Sequence, residues 1–397
     1  MIIRHLSQYL KKLARDYPIV TLTGPRQSGK TTLIKMVFPD YRYVSLEDPD
    51  TRQFAETDPR GFLSLYNKKV IFDEIQRVPD LFSYLQTLVD EDPLAARFML
   101  TGSQQFSLNA KISQTLAGRT ALLRLLPLSL SEILSRKPQP YWSGKKLLKP
   151  ALPDEKLFYY LFHGCYPRLY DKKLSAKQFY SDYVETYVTR DLQTLLQVGD
   201  LSTFQIFLRL LAGRAGQRVN LVSLGNDAGV SHTTIKHWLS VLQASYIVHL
   251  LPPHFKNFNK RLVKSPKIYF LDTGLLCYLL RVQSVEDLNN HPHIGAIFET
   301  FVFSEIYKSF HHRAEEAPLY FWQDRTGNEI DLLIDRGRMQ FPVEVKAAKT
   351  IAQNFFVNIQ RWLDLEGNPQ KYGCLIYGGN EFQRRGQIEV LPWYAAS

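Results

Sequence analysis

Hydrophobic and polar positions change their period several times along this chain, and the changes divide it. In the first third, short apolar runs at Pro18–Thr23, Arg42–Leu46, Val70–Phe72, Arg97–Thr101 and Ala121–Leu126 alternate with stretches of helical spacing. That alternation predicts an α/β fold, a parallel sheet covered by helices. Residues 136–153 hold four prolines and a glycine and read as a linker. Helical periodicity resumes over Glu155–Tyr170 and Ala176–Val198, and a further helical group covers Leu201–Gln243. From about Phe298 the pattern becomes helix, strand, strand, helix, strand. Four regions are therefore expected, 1–135, 136–203, 204–284 and 285–397.

Composition sharpens this division. With 397 residues, 45% of them hydrophobic, each region can bury a core. The net charge of +11 is unevenly placed: 17 basic and 14 acidic residues in 1–135, 21 and 9 in 136–284, 11 and 15 in 285–397. The surplus lies in the middle third, which points to an anionic partner for that region. The three cysteines are far apart and form neither a disulfide framework nor a zinc knuckle, which fits a reducing, cytoplasmic setting. The segment MIIRHLSQYLKKLARD reads as an amphipathic first helix, not a signal peptide, and no apolar run is long enough to span a membrane.

The sharpest motif is Gly24-Pro25-Arg26-Gln27-Ser28-Gly29-Lys30-Thr31, followed by Thr32, between an apolar strand and a helix. It fits the phosphate-binding loop G-x-x-x-x-G-K-[ST], in which curled backbone N–H groups and a helix N-terminus face a phosphate. Lys30 is then expected to reach the β/γ-phosphates of ATP, and the Thr31 hydroxyl to ligate Mg²⁺. The strand Val70–Phe72 ends in Asp73 and Glu74, which suit the Mg²⁺ shell and the base for the attacking water. Another strand runs out through Thr101, Gly102 and Ser103, whose hydroxyls either position that water or cap a following helix. Arg119 precedes the next strand, as an arginine finger for a neighbouring subunit or as a solvated side chain.

Gly24–Thr32, Ile71–Gln76 (IFDEIQ), Leu100–Ser103, Ala117–Arg119 and Pro127–Ile133 together resemble a bacterial and archaeal family of AAA+ ATPases. In that family the ATPase core is followed by a C-terminal domain of unknown function. The segments HGCYPRLY, YVETYVTRDL, PKIYFLDTGL and GNEIDLLID fit as well, so the resemblance covers nearly the whole chain. It implies a P-loop AAA+ core using ATP and Mg²⁺ through Lys30, Thr31, Asp73 and Glu74. It also implies a finger at Arg119, a helical lid, and a homo-oligomer. Arg190 fits either a second nucleotide-sensing arginine or a local ion pair.

Residues 221–240 (LVSLGNDAGVSHTTIKHWLS) carry a helix-turn-helix pattern, with Gly229 at the turn and Ser231 capping the second helix. On propensity, Gly225 and Asn226 interrupt the first helix. SYIVHLLPPHF and PKIYFLD read as wing strands, and Lys256, Lys260, Arg261, Lys264 and Lys267 lie between or on them without an acid. These suit phosphate contacts with DNA, while Lys236 and His237 face base edges. The alternative is a lid packed on the ATPase core with a solvated basic face.

In the last third, Asp331 precedes Glu344-Val345-Lys346 by thirteen residues. Glu344 and Lys346 share one face of a strand, where both can meet Asp331; the two carboxylates can then bind Mg²⁺ and the lysine orient the attacking water. Glu299 completes the set, with Glu305 a poorer alternative. This resembles the PD-(D/E)xK nuclease core, a restriction-endonuclease-like α/β domain; a cross-strand ion pair is the competing account. The sequence thus leads to an ATP-hydrolysing, DNA-binding protein with no membrane partner. An ATP-gated endonuclease and a nucleotide-regulated switch with a protein partner remain as alternatives.

Overall fold

The computed structural model describes residues 2–103, 115–138, 149–154, 156–191 (backbone only for 189–191), 201–255, 265–365, 368 and 370–396. They form two compact units. The first runs to Leu128 and also takes Ala244–Tyr246 and Phe310–Glu315; the second takes Ser129–Gln243, Ile247–Ser309 and the chain from Glu316 onward.

The first unit is built on a parallel sheet of β1 (Ile19–Thr23), β2 (Arg42–Ser45), β3 (Val70–Asp73), β4 (Phe98–Gly102) and β5 (Thr120–Arg124), in the order β2-β3-β4-β1-β5. Helices cover both faces, so the central strands are apolar on both sides. Val20, Leu22, Ile71, Met99 and Leu123 pack on one face with Leu6, Leu10, Leu33 and Ile34. Ile19, Val70, Phe72, Phe98 and Leu100 face the other way, against Phe62, Leu81 and Leu85. The alternation follows from the two-residue period of a strand. The register sets Thr23 opposite Gly102 and Phe72 opposite Leu100. The C-terminal ends of β1, β3 and β4 therefore finish level, and the chemistry-bearing residues follow directly from them.

In the second unit, helices Leu157–His163, Pro167–Asp171 and Ala176–Tyr183 precede the helix Leu201–Ala212. The helix-turn-helix is present as Leu221–Ala228 and a second helix beginning at His232, with Gly229 at φ 70° and Ser231 Oγ accepting from Thr234 N. Gly225 does not interrupt the first helix. It is buried within it, and a Cβ there would sit 2.7 Å from the Val230 carbonyl. The glycine that lowers helix propensity is what lets the turn fold back so closely.

β6 (Val248–Leu251) and β7 (Lys267–Phe270), the two segments read as wing strands, pair antiparallel. The chain ends in a six-stranded sheet of β8 (Leu319–Gln323), β9 (Glu329–Asp335), β10 (Gln340–Lys346), β11 (Gly373–Tyr377), β12 (Gln383–Arg385) and β13 (Ile388–Pro392), ordered β12-β13-β11-β10-β9-β8. β8, β9 and β10 run antiparallel, and β10, β11 and β13 parallel.

Asp272 ties three of these segments together. Its buried carboxylate accepts from Cys165 N and Tyr180 OH, both at 2.7 Å, and caps the helix Thr273–Leu279 through Leu275 N. Gly274 is required there, since a Cβ would meet the Tyr180 ring at 2.5 Å.

Candidate nucleotide site

The loop after β1 is held in a curled form. Gly24 adopts φ 152°, and a Cβ on it would meet the Leu125 carbonyl oxygen at 2.1 Å. Gln27 and Gly29 have φ 62° and 90°, and Gly29 begins the helix Lys30–Val37. From behind, buried Arg4 donates to the Ser28 carbonyl (2.8 Å) and to the Leu126 carbonyl (2.6 Å). This anchors the loop to the end of β5, a constraint that no local motif reveals.

Lys30 is 6% exposed and donates to the Gly24 and Pro25 carbonyls at 3.0 and 2.9 Å. Burial lowers its pKa to about 8, against the opposing pull of Glu74 and Asp73. Beside it, the Thr31 hydroxyl lies 3.1 Å from both Asp73 oxygens. Thr101 donates to Asp73 from β4, and Glu74 N donates to Thr101. Glu74 takes the left-handed conformation (φ 56°), which turns the chain sharply at the end of β3. Its Oε2 accepts from Ser103 Oγ at 2.9 Å, from Ser103 N at 3.3 Å, and from Gln76. The two hydroxyls considered together in the sequence thus divide: Thr101 serves Asp73, and Ser103 serves Glu74.

One further group reaches Asp73. Tyr43, on the edge strand β2, donates its hydroxyl to Oδ2 at 2.7 Å; burial and the carboxylate raise its pKa to about 12. Sequence reasoning missed it, because a tyrosine on an edge strand is unremarkable until β2 is paired with β3. For Mg²⁺, the hydroxyl and carboxylate oxygens of Thr31 and Asp73 are hard donors brought to one point, the type that cation takes. For a polyphosphate, the positive-φ backbone at Gly24, Gln27 and Gly29 and the strapped lysine form a cradle, and a side chain at Gly24 would drive it off the Leu125 carbonyl.

The family described as "AAA domain" matches residues 16–134, and a "Domain of unknown function (DUF4143)" matches 294–396, with a second such domain (DUF8612) over 154–286. Uncharacterised proteins of Mycobacterium tuberculosis and Mycobacterium bovis are each 31% identical over 351 residues, covering 87% of this chain and 74% of theirs. The chain belongs to this AAA-domain family. A solved Walker-type ATPase of Pyrococcus abyssi overlaps 69% of this chain and 94% of its own at 12% identity, with a TM-score of 0.44.

Elsewhere in this AAA-domain protein the expected residues fare unevenly. Arg119 forms a bidentate pair with Asp90 of its own chain, at 2.6 and 2.8 Å. The Arg190 side chain and all of Lys256, Lys260, Arg261 and Lys264 lie outside the described residues. Lys236 and His237 are exposed on the second helix of the helix-turn-helix, beside exposed His232 and Thr233.

Lys267 is a correction. It is not a solvated wing cation: it is 4% exposed and paired with Glu299 (3.4 Å) and Glu329. Among the described residues no helix is long and apolar enough to cross a membrane.

The terminal sheet gathers Asp331, Glu344 and Lys346. Lys346 Nζ lies 2.8 Å from Glu344 and 3.8 Å from Asp331, and Asp331 also accepts from Val345 N at 2.8 Å. Burial and Asp331 lift Glu344 to about 8, with Lys346 pulling it down. Among the described residues its buried Oε2 makes no geometrically sound hydrogen bond, although the Asn358 side chain lies near enough to lower its pKa, and such an oxygen is an acceptor suited to a cation. Glu299 accepts from Tyr269 and pairs with Lys267, while burial lifts it to about 7, with Lys267 opposing and Asp331 adding to the lift.

Glu305 is not part of this group. It is fully buried against Lys308 and accepts from Leu130 N at 2.8 Å, ahead of the short helix Leu130–Ile133. A helix of 3.6 residues per turn puts positions 299 and 305 on different faces.

Proposed function

We propose that this protein is an Mg²⁺-dependent ATP hydrolase that works on DNA as a homo-oligomer. The observation that carries the hydrolase reading is the convergence of Thr31, Asp73, Glu74, Thr101 and Ser103 beside a curled phosphate loop. Loop N–H groups and Lys30 take the β- and γ-phosphates, Lys30 exchanging the Gly24 and Pro25 carbonyls for phosphate oxygens. Thr31 and Asp73 hold Mg²⁺, which supplies neutralisation of phosphate charge when bound. Glu74, oriented by Ser103, accepts the proton of the attacking water. Arg119, on leaving Asp90, serves a neighbouring subunit's γ-phosphate.

The DNA reading is supported by the basic middle third, by Lys236 and His237 exposed on the second helix, and by the two-stranded pair that follows in the chain. ATPase rate and DNA retention, measured with and without duplex DNA across a salt series, test both halves. DNA is expected to raise the rate. Lys236→Glu with His237→Ala is expected to weaken retention several-fold and to shallow the salt slope by about 1. A wild type that turns over no ATP removes the hydrolase reading, and retention unchanged by the substitutions removes the DNA reading.

A second reading, cleavage, is favoured by the unsatisfied Glu344 oxygen next to Asp331 and Lys346. Wild type with Mg²⁺ or Mn²⁺ should then nick supercoiled plasmid, and Lys346→Ala should not. Plasmid left intact by wild type ends that reading.

A further inference from the structure

The second unit holds a cavity of about 430 Å³ among the helices Ala176–Tyr183, Leu201–Ala212 and Thr273–Leu279 and the turn that follows the last. Small-molecule sites span roughly 300–1,000 Å³. The floor is apolar, made by buried Val184, Leu208, Leu279 and Val282. The rim is cationic, with Lys177, Arg209 and Arg281 against one acid, Glu185. Lys177 is held there by Gln283 Oε1 at 2.8 Å, and the Gln283 amide donates back to the Arg281 carbonyl at 2.9 Å. Arg281 itself has φ 61° in the turn that closes the cavity.

Neither the Arg209 nor the Arg281 guanidinium has a hydrogen bond or ion pair among the described residues. Cations gathered around one opening repel each other, and an anion entering it relieves that repulsion. A guanidinium's planar fork matches a phosphate's oxygens two at a time. The Tyr278 ring on the wall and the aliphatic floor suit a flat apolar body, and Glu185 can accept from a sugar hydroxyl or a ring amine.

We infer that this cleft binds a phosphate-bearing ligand of nucleotide size, at a site that shares no residue with the phosphate loop. Arg209 and Arg281 hold its phosphate, and the Tyr278 wall takes its ring. The inference goes beyond ATP hydrolysis and does not depend on it.

The test is calorimetric titration of the full-length protein with ADP, with pyrophosphate as a ring-free probe. Wild type is expected to take two ADP per chain. Arg209→Ala with Arg281→Ala should leave one, its cleft affinity for both probes falling by at least ~10-fold, the loss typical of charge-assisted bonds. Both residues are exposed, so the thermal melt should not move. Lys30→Ala should lose the other ADP and keep the cleft. If Lys30→Ala still binds two, the phosphate-loop reading fails while the cleft stands on the arginine result. Isotherms of the arginine variant that coincide with wild type overturn the inference. So does a loss of affinity confined to a single-stranded oligonucleotide, which would make the cleft a nucleic-acid contact.

Discussion

Glu74→Gln is expected to leave ATP bound and to lower its turnover by ~10²- to 10⁴-fold, the range for losing a positioned general base. Glutamine keeps the shape of the side chain and one carbonyl oxygen. The Ser103 hydroxyl and N–H that now bond Glu74 Oε2 therefore keep an acceptor, and the turn at φ 56° is untouched. What is lost is the capacity to take a proton from water.

Lys30→Ala separates the two steps. It removes the cation that faces the phosphates, so binding at the phosphate loop is lost together with turnover and only the cleft's nucleotide remains. Single-turnover hydrolysis combined with nucleotide retained on gel filtration distinguishes the variants. If Glu74→Gln hydrolyses within ~10-fold of wild type, Glu74 is not the base. Because Ser103 acts only through Glu74, Ser103→Ala should give a smaller defect at the same step.

Glu305→Ala is expected to destabilise the second unit by about 3–5 kcal/mol, the cost of leaving a buried charge without its partner. Glu305 and Lys308 are 0% and 1% exposed, one turn apart on the helix Ile294–His311. Burial alone would lower the Lys308 pKa, but Cys165 and Glu305 outweigh it and raise it. Truncation also removes the acceptor for Leu130 N.

Glu305→Leu with Lys308→Met should recover much of the loss, because an apolar pair of similar volume replaces both charges. The measurement is the midpoint of the thermal transition belonging to this unit, since a chain with two units need not melt in one step. A single variant that melts with wild type would falsify the buried-pair account. This prediction also separates Glu305 from any metal-binding role, because the loss appears without metal or DNA.

The candidate nucleotide site was legible because its pattern is local. A phosphate loop needs glycines, a lysine and a hydroxyl at set spacing between one strand and one helix, and all of that lies within Gly24–Thr31. Strands ending in Asp73-Glu74 and Thr101-Gly102-Ser103 were legible for the same reason. In a parallel sheet the C-terminal ends finish together, so residues just past them meet whatever the loops between them do. The helix-turn-helix and the Glu344/Lys346 face follow from helical and strand periods in the same way.

Burial and pairing across long separations were not legible. The same residue type had opposite fates: Lys236 is exposed, while Lys267, read as equally solvated, is enclosed by Glu299 and Glu329. Both acids come from segments that the wing meets only in three dimensions. Arg4 behind the phosphate loop, Tyr43 on Asp73 and Asp272 holding Cys165 and Tyr180 are likewise contacts whose partners lie far away in the chain.

The chain alone therefore determined where the curled loop and the strand-end carboxylates lie, because backbone curvature and strand ends are set by neighbours in sequence. Only the tertiary structure decided which charges are neutralised inside and which face solvent. A charge's energy depends on the dielectric and the counter-charges that folding brings within a few ångströms of it.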